Sequence, residues 1–193
     1  MDQWESQLTS LLPPPTPQIL VDDSTLHATE ARLGIHLPSD YVSFCRSHGP
    51  GSICVTTYSF VVSSPFTEIQ SASSLVEYVD YFGYAQREMR RGLRVDDTGL
   101  RIFPEAGGLL PFACIDATHF TWKTIGSPDQ WTIVVLWYYE NGGFVHHDMG
   151  FNEFWVKLLN REIVLGPCSD TWNPETDISF MPIPIRPGRK RRP

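Results

Sequence analysis

The pattern of apolar and polar positions is clearest between residues 131 and 159. Residues 131–138 are almost uninterruptedly apolar, which is typical of a strand covered on both faces and predicts a central strand. Asn141-Gly142 follows, a dipeptide that favours a type I′ hairpin turn, and Phe144–His147 is the predicted return strand. Apolar residues then recur at helical spacing, which predicts an amphipathic helix with one face on the sheet. They are Phe151, Phe154, Trp155, Leu158 and Leu159.

Further strands separated by turns are predicted in the middle of the chain. Residues 53–62 are rich in Val, Thr, Tyr and Phe, which favours a single strand. Shorter strand-like segments are residues 100–103, 109–115 and 119–124. Asp96-Asp97-Thr98-Gly99 and Gly107-Gly108 are predicted turns between them, because Gly and Asp favour turn conformations. The result is a meander of strands.

The first half of the chain has helical spacing and clear helix boundaries. Residues 1–12 predict a helix, and the Pro-rich residues 13–17 force an extended linker after it. A second helix is predicted to end at Gly34, since Gly accepts the left-handed conformation that follows a helix. Pro38 is predicted to begin a third helix, because its missing N–H is not needed in the first turn.

A longer helix is predicted after Ser71 or Ser74, either of which can cap it. Gly83 lies within the segment and is a candidate break. One face of this predicted helix is apolar. It carries Leu75, Tyr78, Val79, Phe82 and Met89.

Helices followed by a strand meander and a last helix predict an α+β fold, a single domain with an antiparallel meander sheet and flanking helices. With 193 residues, 41% of them hydrophobic, the chain is long enough for one compact core. We divide it into an N-terminal helix and linker (1–17), the folded domain (18–181) and a Pro-rich, basic, disordered tail (182–193).

Charge is distributed unevenly, and this bears on the choice of partner. The formal net charge is −7, although Arg186, Arg189, Lys190, Arg191 and Arg192 crowd the C-terminus. The acidic remainder repels nucleic acid and suits a basic partner, so only the tail is a candidate for nucleic-acid contact. No apolar run approaches the roughly 20 residues of a membrane helix, and the acidic start does not resemble a signal peptide. We expect a cytoplasmic protein without membrane contact.

The side chains that could act in catalysis, redox reactions or metal binding lack the arrangement that these functions require. Cys45, Cys54, Cys114 and Cys168 form no C-x-x-C pair; reduced core thiols are favoured, and a Cys45–Cys54 disulfide is the alternative. Asp97-Thr98-Gly99 copies half of an aspartic protease site, but the second copy is missing.

For the histidines, too, the sequence argues against a metal site, and for the tryptophans it favours packing in the core. Neighbouring side chains on a strand point to opposite faces, so His146 and His147 cannot easily share one metal ion. Trp122 and Trp131 flank a loop and are candidate binding anchors, although core packing is favoured for both. We expect no cofactor, metal or small-molecule substrate.

Three linked signatures carry a family resemblance. The first is Leu33-Gly34-Ile35-His36-Leu37-Pro38-Ser39-Asp40-Tyr41, with Phe44 and Gly49 following. The second runs from Leu110-Pro111-Phe112-Ala113 through Trp122 and residues 126–131 to Val134-Val135. The third is Phe151-Asn152-Glu153-Phe154 with Leu158-Leu159. Their order and spacing over residues 20–162 resemble the SUKH superfamily of Smi/Knr-like proteins, although Trp155 and the C-terminal extension depart from its pattern.

The resemblance implies a non-enzymatic protein that acts by binding other proteins. For bacterial members it implies an immunity protein that neutralises a cognate toxin, often a nuclease, and for fungal relatives a regulatory scaffold in cell-wall synthesis and signalling. The first is our leading hypothesis and the second the alternative; a hydrolase is a weaker third. Turn carboxylates are the expected contacts with a basic toxin. They are Asp96, Asp97, Glu105, Asp116, Asp129 and Glu140.

Overall fold

A computed structural model describes residues 3–18, 21–55, 58–67, 74–93, 100–137, 143–163, 165 and 177–183, with the backbone alone over 89–93. The helices are α1 Gln3–Leu11, α2 Asp23–Leu33, α3 Ser39–His48, α4 Leu75–Leu93 and α5 Phe151–Leu159. The strands are β1 Gly51–Val55, β2 Tyr58–Val62, β3 Leu109–Ile115, β4 Thr118–Lys123, β5 Thr132–Trp137, β6 Gly143–His147 and β7 Ile178–Pro182.

The strands of the described residues form one antiparallel sheet, in the order β6-β5-β4-β3-β2-β1-β7. Most neighbours in this sheet are also consecutive in the chain, which is the meander that the sequence predicts. Strand β7 is the exception, because it returns from the C-terminal region to pair with β1. The α+β prediction, with helices flanking an antiparallel sheet in a single domain, is confirmed.

One face of the sheet is covered by α3 and α5 through a cluster of buried aromatic rings. Tyr41 of α3 contacts Trp122 of β4 edge to face, with ring centroids 4.8 Å apart. Phe151 of α5 lies 5.2 Å from Tyr41 and 5.4 Å from Phe112 of β3. All four side chains are buried, so each contributes roughly 2–3 kcal/mol of hydrophobic stabilisation.

The opposite face of the sheet packs against α4. Phe82 lies in a smaller buried cluster with Leu109, Val134 and Leu136. Both faces of β5 are therefore covered, as its sequence predicts, because Ile133 and Val135 belong to the larger cluster on the other face. However, β5 is the second strand from the edge and not a central one.

The N-terminal helix joins the main core. Leu8 and Leu12 are buried in the same cluster as Leu158 and Leu159 of α5, against which α1 packs. Ser43 of α3 also donates to Glu5 of α1 at 2.6 Å. The segment before the Pro-rich residues thus contributes side chains to the domain core.

The boundaries between α2 and α3 follow the predicted signals closely. Gly34 has a φ of +71° and donates its N–H to Glu30, so it ends α2 in the left-handed conformation. Pro38 is extended and occupies the capping position, with α3 beginning one residue later than the sequence suggests. Pro38 has no side-chain oxygen to accept a hydrogen bond from the helix.

Four predictions about individual segments are wrong. Residues 53–62 form two antiparallel strands, and the buried positions change phase between Val55 and Phe60. Residues 100–103 form a loop with a single bridge, and Pro104 supplies no N–H to extend pairing. Helix α4 runs through Gly83 without a break. Strand β7 extends to Pro182, where the sequence predicts the start of the disordered tail.

Two other predictions are only partly covered by the structure. Strands β5 and β6 pair as expected, while the turn at Asn141-Gly142 lies outside the described residues. Cys45, Cys54 and Cys114 are free thiols, which excludes the Cys45–Cys54 disulfide. Cys168 and tail residues 184–193 also lie outside the described part of the chain.

Candidate interaction surface

An open cleft lies between α4 and the loop that precedes β3. Its volume is about 100 Å³, enough for one side chain, and its lining is mostly apolar. Arg87 on α4 and Glu105 on the loop place opposite charges around it. Both side chains are exposed. The full lining is Gly83, Gln86, Arg87, Ile102, Phe103, Pro104 and Glu105.

The loop wall of the cleft is held by its own backbone hydrogen bonds. The N–H of Glu105 donates to Ile102 at 3.0 Å, and the N–H of Gly108 donates to Glu105 at 2.8 Å. A Cβ at Gly108 would lie 2.6 Å from the backbone of Ile102 and Phe103, so only glycine permits this close turn. The loop therefore presents Glu105 in a defined position without belonging to a strand.

The surface continues from this loop to Ile125, beyond β4. Ile125 packs beside Gly107, and 57% of its surface is exposed. Thr124 fixes the approach of the two segments by donating from its hydroxyl to Gly108 at 2.8 Å. An exposed branched apolar side chain thus lies next to the loop that carries Glu105.

Asp129 lies further along the same end of the sheet, in a 3-10 turn at Pro128–Gln130. Its Oδ1 accepts the N–H of Ser39 at 2.7 Å, so this distant residue caps the start of α3. Asp40, next in the helix, accepts the N–H of Asn152 at 3.2 Å at the start of α5. Burial raises the pKa of Asp40 despite these bonds, and the nearby Asp129 charge acts in the same direction.

The structure separates the described members of the predicted carboxylate set. Glu105 precedes β3 and Asp129 precedes β5, and these strands begin at the same end of the sheet. Asp116 lies in the turn between β3 and β4, at the opposite end, with a φ of +47°. Asp96, Asp97 and Glu140 lie outside the described residues. A role for any of the six in binding stays a prediction.

The outer face of α4 holds exposed aromatic side chains that the sequence analysis missed. Tyr81 and Tyr84 are 63% and 59% exposed, beside the exposed charges of Asp80 and Glu88. Both tyrosines lie outside the apolar stripe of the helix. An aromatic residue at a position predicted to face solvent is the sequence signal that could have identified them. Tyrosine is enriched in protein interfaces because it combines apolar area with a hydroxyl group. By contrast, the candidate anchors Trp122 and Trp131 are buried.

Three titratable side chains lie where α4 packs on β3 and β4, namely the buried Tyr78 and the half-buried His119 and Cys114. Tyr78 donates its hydroxyl to Ala113 at 3.0 Å, and its oxygen lies 2.6 Å from His119 Nδ1. Burial lowers the pKa of His119 to about 4, so the imidazole is neutral near pH 7. Burial also raises the pKa of Cys114, which keeps the thiol protonated and weakly nucleophilic.

The edge histidines occupy opposite faces, as predicted. His146 contacts the Thr132 hydroxyl at 2.7 Å, whereas the His147 ring lies 5.4 Å from Phe154 of α5. Within the described residues there is no group of three metal-ligating side chains. In the same part of the chain, no helix has the length and apolar character that a bilayer span requires.

These features define a class of protein: a single α+β domain with helices on both faces of an antiparallel sheet and surface loops at its ends. The chain belongs to the SMI1 / KNR4 family (SUKH-1), whose family model matches residues 20–155. The expected membership of the SUKH superfamily is thereby confirmed. No curated protein and no solved structure matches the sequence.

Proposed function

We propose that this chain is a non-enzymatic immunity protein that neutralises a basic bacterial toxin in the cytoplasm by occupying its surface. The observation that carries the proposal is that, in a member of this family, the loops at one end of the sheet present the cleft, Glu105, Ile125 and Asp129. Glu105 and Ile125 belong to neighbouring loops, and Asp129 follows Ile125 in the second of them. Protein interfaces combine an apolar anchor with a polar rim in this way.

Each part of this surface has a distinct role in the proposed complex. Glu105 and the second carboxylate oxygen of Asp129 accept hydrogen bonds from lysine or arginine side chains of the toxin. Ile125 supplies apolar area, and the cleft receives one toxin side chain. Because Arg87 borders the cleft, a fully cationic toxin surface is repelled there, and an apolar insertion is favoured.

The test is protection of bacteria that express the toxic domain encoded in the reading frame next to this one. The native chain should restore growth and bind that domain. Glu105→Lys should weaken binding by about tenfold or more, since it places a cation against a basic partner. Protection by Glu105→Lys equal to that of the native chain would contradict this surface.

A matched control places the same charge change elsewhere. Glu162 is exposed and follows the C-terminus of α5, whereas the N-terminus of α5 contacts Asp40, which lies near Asp129. Glu162→Lys should leave protection unchanged. Equal loss in both variants would show a dependence on net charge alone, which is against a defined contact surface.

The alternative function is a regulatory scaffold of the Smi/Knr type, which would recruit partners through the N-terminal helix and the basic C-terminal tail. Deletion of residues 184–193 separates the two functions. This deletion retains β7 and the bond from the Ile183 N–H to Pro50. Protection that survives the deletion supports immunity by the folded domain, whereas a native chain that gives no protection but retains partners only while the tail is present favours the scaffold.

A further inference from the structure

Strand β6 leaves one edge of the sheet open. It pairs with β5 on one side, and no strand among the described residues pairs with it on the other. An open edge has backbone N–H and C=O groups in position to pair with another strand. Backbone hydrogen bonds at such an edge would therefore fix both the direction and the register of an added strand.

The composition of β6 does not protect this edge. Its sequence, Gly-Phe-Val-His-His, contains no Lys, Asp, Glu or Pro, the residues that commonly block edge pairing. The opposite edge strand, β7, ends in Pro182, which has no N–H to donate. The two edges of the sheet are thus unlike, and β6 is the one suited to pairing.

Apolar side chains are exposed on both faces of β6. Phe144 lies opposite Leu136 and is 44% exposed, while Val145 lies opposite Val135 and is 43% exposed. Successive residues of a strand point to opposite faces, so one added strand would cover both side chains. Pairing at this edge therefore buries apolar area in addition to supplying partners for the backbone N–H and C=O groups.

Contacts with neighbouring side chains hold β6 in place before any partner arrives. The indole of Trp137 covers Gly143 so closely that an added Cβ would lie 2.5 Å from its Cζ2 atom. His146 is held against the Thr132 hydroxyl at 2.7 Å, and His147 lies against Phe154. A strand whose side chains are already placed loses little conformational entropy when it pairs.

We propose that β6 pairs antiparallel with β6 of a second copy of this chain, with the two-fold axis at Val145. In this register Val145 faces Val145 of the other copy, and Phe144 faces His146 in both directions. Gly143 faces His147 in the same way. No acidic or basic pair of like charge is brought together, and aromatic and β-branched cross-strand pairs are stabilising.

The self-complementary register is the reason for choosing a second copy as the occupant. A two-fold pair closes at two chains because each copy uses its only unprotected described edge, leaving β7 outermost. The net charge of −7 repels two copies at a distance, so salt should strengthen the dimer by screening. A five-residue strand is a small interface, and the dimer should depend on concentration.

Sedimentation velocity of the full chain, from low to high micromolar concentration, tests the proposal. The mass should rise from 21.9 kDa towards twice that value. Val145→Lys should raise the dissociation constant about tenfold or more, because it places two ammonium groups directly opposite each other. Val145→Thr keeps the β-branched shape and should dimerise with a dissociation constant within a few-fold of the native value.

A control on the opposite edge and a measurement without any variant complete the test. Met181 in β7 is 55% exposed, and Met181→Lys should leave the dimer intact. Backbone amides of Gly143–His147 in the native chain should exchange more slowly at high concentration than at low concentration. A monomer at every concentration overturns the proposal, as does a dimer without amide protection in β6.

Discussion

Asp129 shows how one residue can serve both the fold and a predicted contact. Its position in a surface turn suggested a free carboxylate, yet its Oδ1 caps α3 across 90 residues of sequence. Pro38, which directly precedes α3, cannot cap this helix because its side chain has no hydrogen-bond acceptor. Any loss of toxin binding in an Asp129 variant must therefore be separated from loss of helix stability.

Replacing Asp129 with alanine should lower the free energy of unfolding by about 1 kcal/mol, the usual value of a lost helix cap. Urea denaturation measures the change. Glu105→Ala is the matched control, because the side chain of Glu105 is exposed and should contribute less than about 0.5 kcal/mol. Equal stability of Asp129→Ala and the native chain would show that the capping bond contributes nothing.

His119 should make the fold sensitive to mild acid. Burial lowers its pKa from 6.5 to about 4, so the unfolded chain binds a proton more readily than the folded chain between these values. The stability that the neutral His119 contributes is therefore fully present above pH 6.5 and is lost as the pH falls towards 4. Burial lowers the pKa of His48 and His147 too, which adds to the same slope.

The contribution of His119 can be isolated by substitution. His119→Gln removes its titration and should flatten the dependence of stability on pH between about 6.5 and 4. Denaturation midpoints measured at several pH values test this. An unchanged slope in the variant would show that the other histidines alone produce the acid sensitivity.

At the scale of elements, α1 should contribute to stability as part of the core. Leu12, just after α1, is fully buried. Leu12→Ala should lower the free energy of unfolding by about 2–5 kcal/mol, since it removes buried methyl groups and leaves a cavity. Thr9→Ala on the exposed side of α1 is the control and should change stability little. A small effect at Leu12 would mean that α1 docks only loosely.

The elements that could be predicted are those with a strong local period. Helix α5 and strand β5 are specified by their own apolar patterns, and Gly34 ends α2 by its own conformation. Strand β7 could not be predicted, because its pairing with β1 depends on residues far apart in the chain. The break between β1 and β2 left one local signal, the change of buried phase after Val55.

The candidate surface was harder to predict than the fold. Sequence selected carboxylates in turns, but only strand pairing decides which turns share an end of the sheet. Glu105 and Asp129 share one end, while Asp116 lies at the other. The cleft was not predictable, since it forms where α4 passes a loop that precedes β3.

For the whole molecule, net charge should act in opposite directions on its two proposed associations. Binding of a basic toxin by a chain of net charge −7 should slow as salt rises, because screening weakens attraction. Stopped-flow mixing with the toxic domain at increasing salt measures the association rate. A rate that does not change with salt would contradict electrostatic attraction between them.

The capping bonds around α3 also set the order in which the molecule can be completed. Asp129 meets Ser39 across 90 residues, and Asp40 meets Asn152 across 112 residues. The cap of α3 can therefore form only after Asp129 has been synthesised, and the bond between Asp40 and Asn152 only after α5 has begun. Such long-range contacts slow folding, so we expect the nascent chain to reach its native state late, after residue 152 has left the exit tunnel.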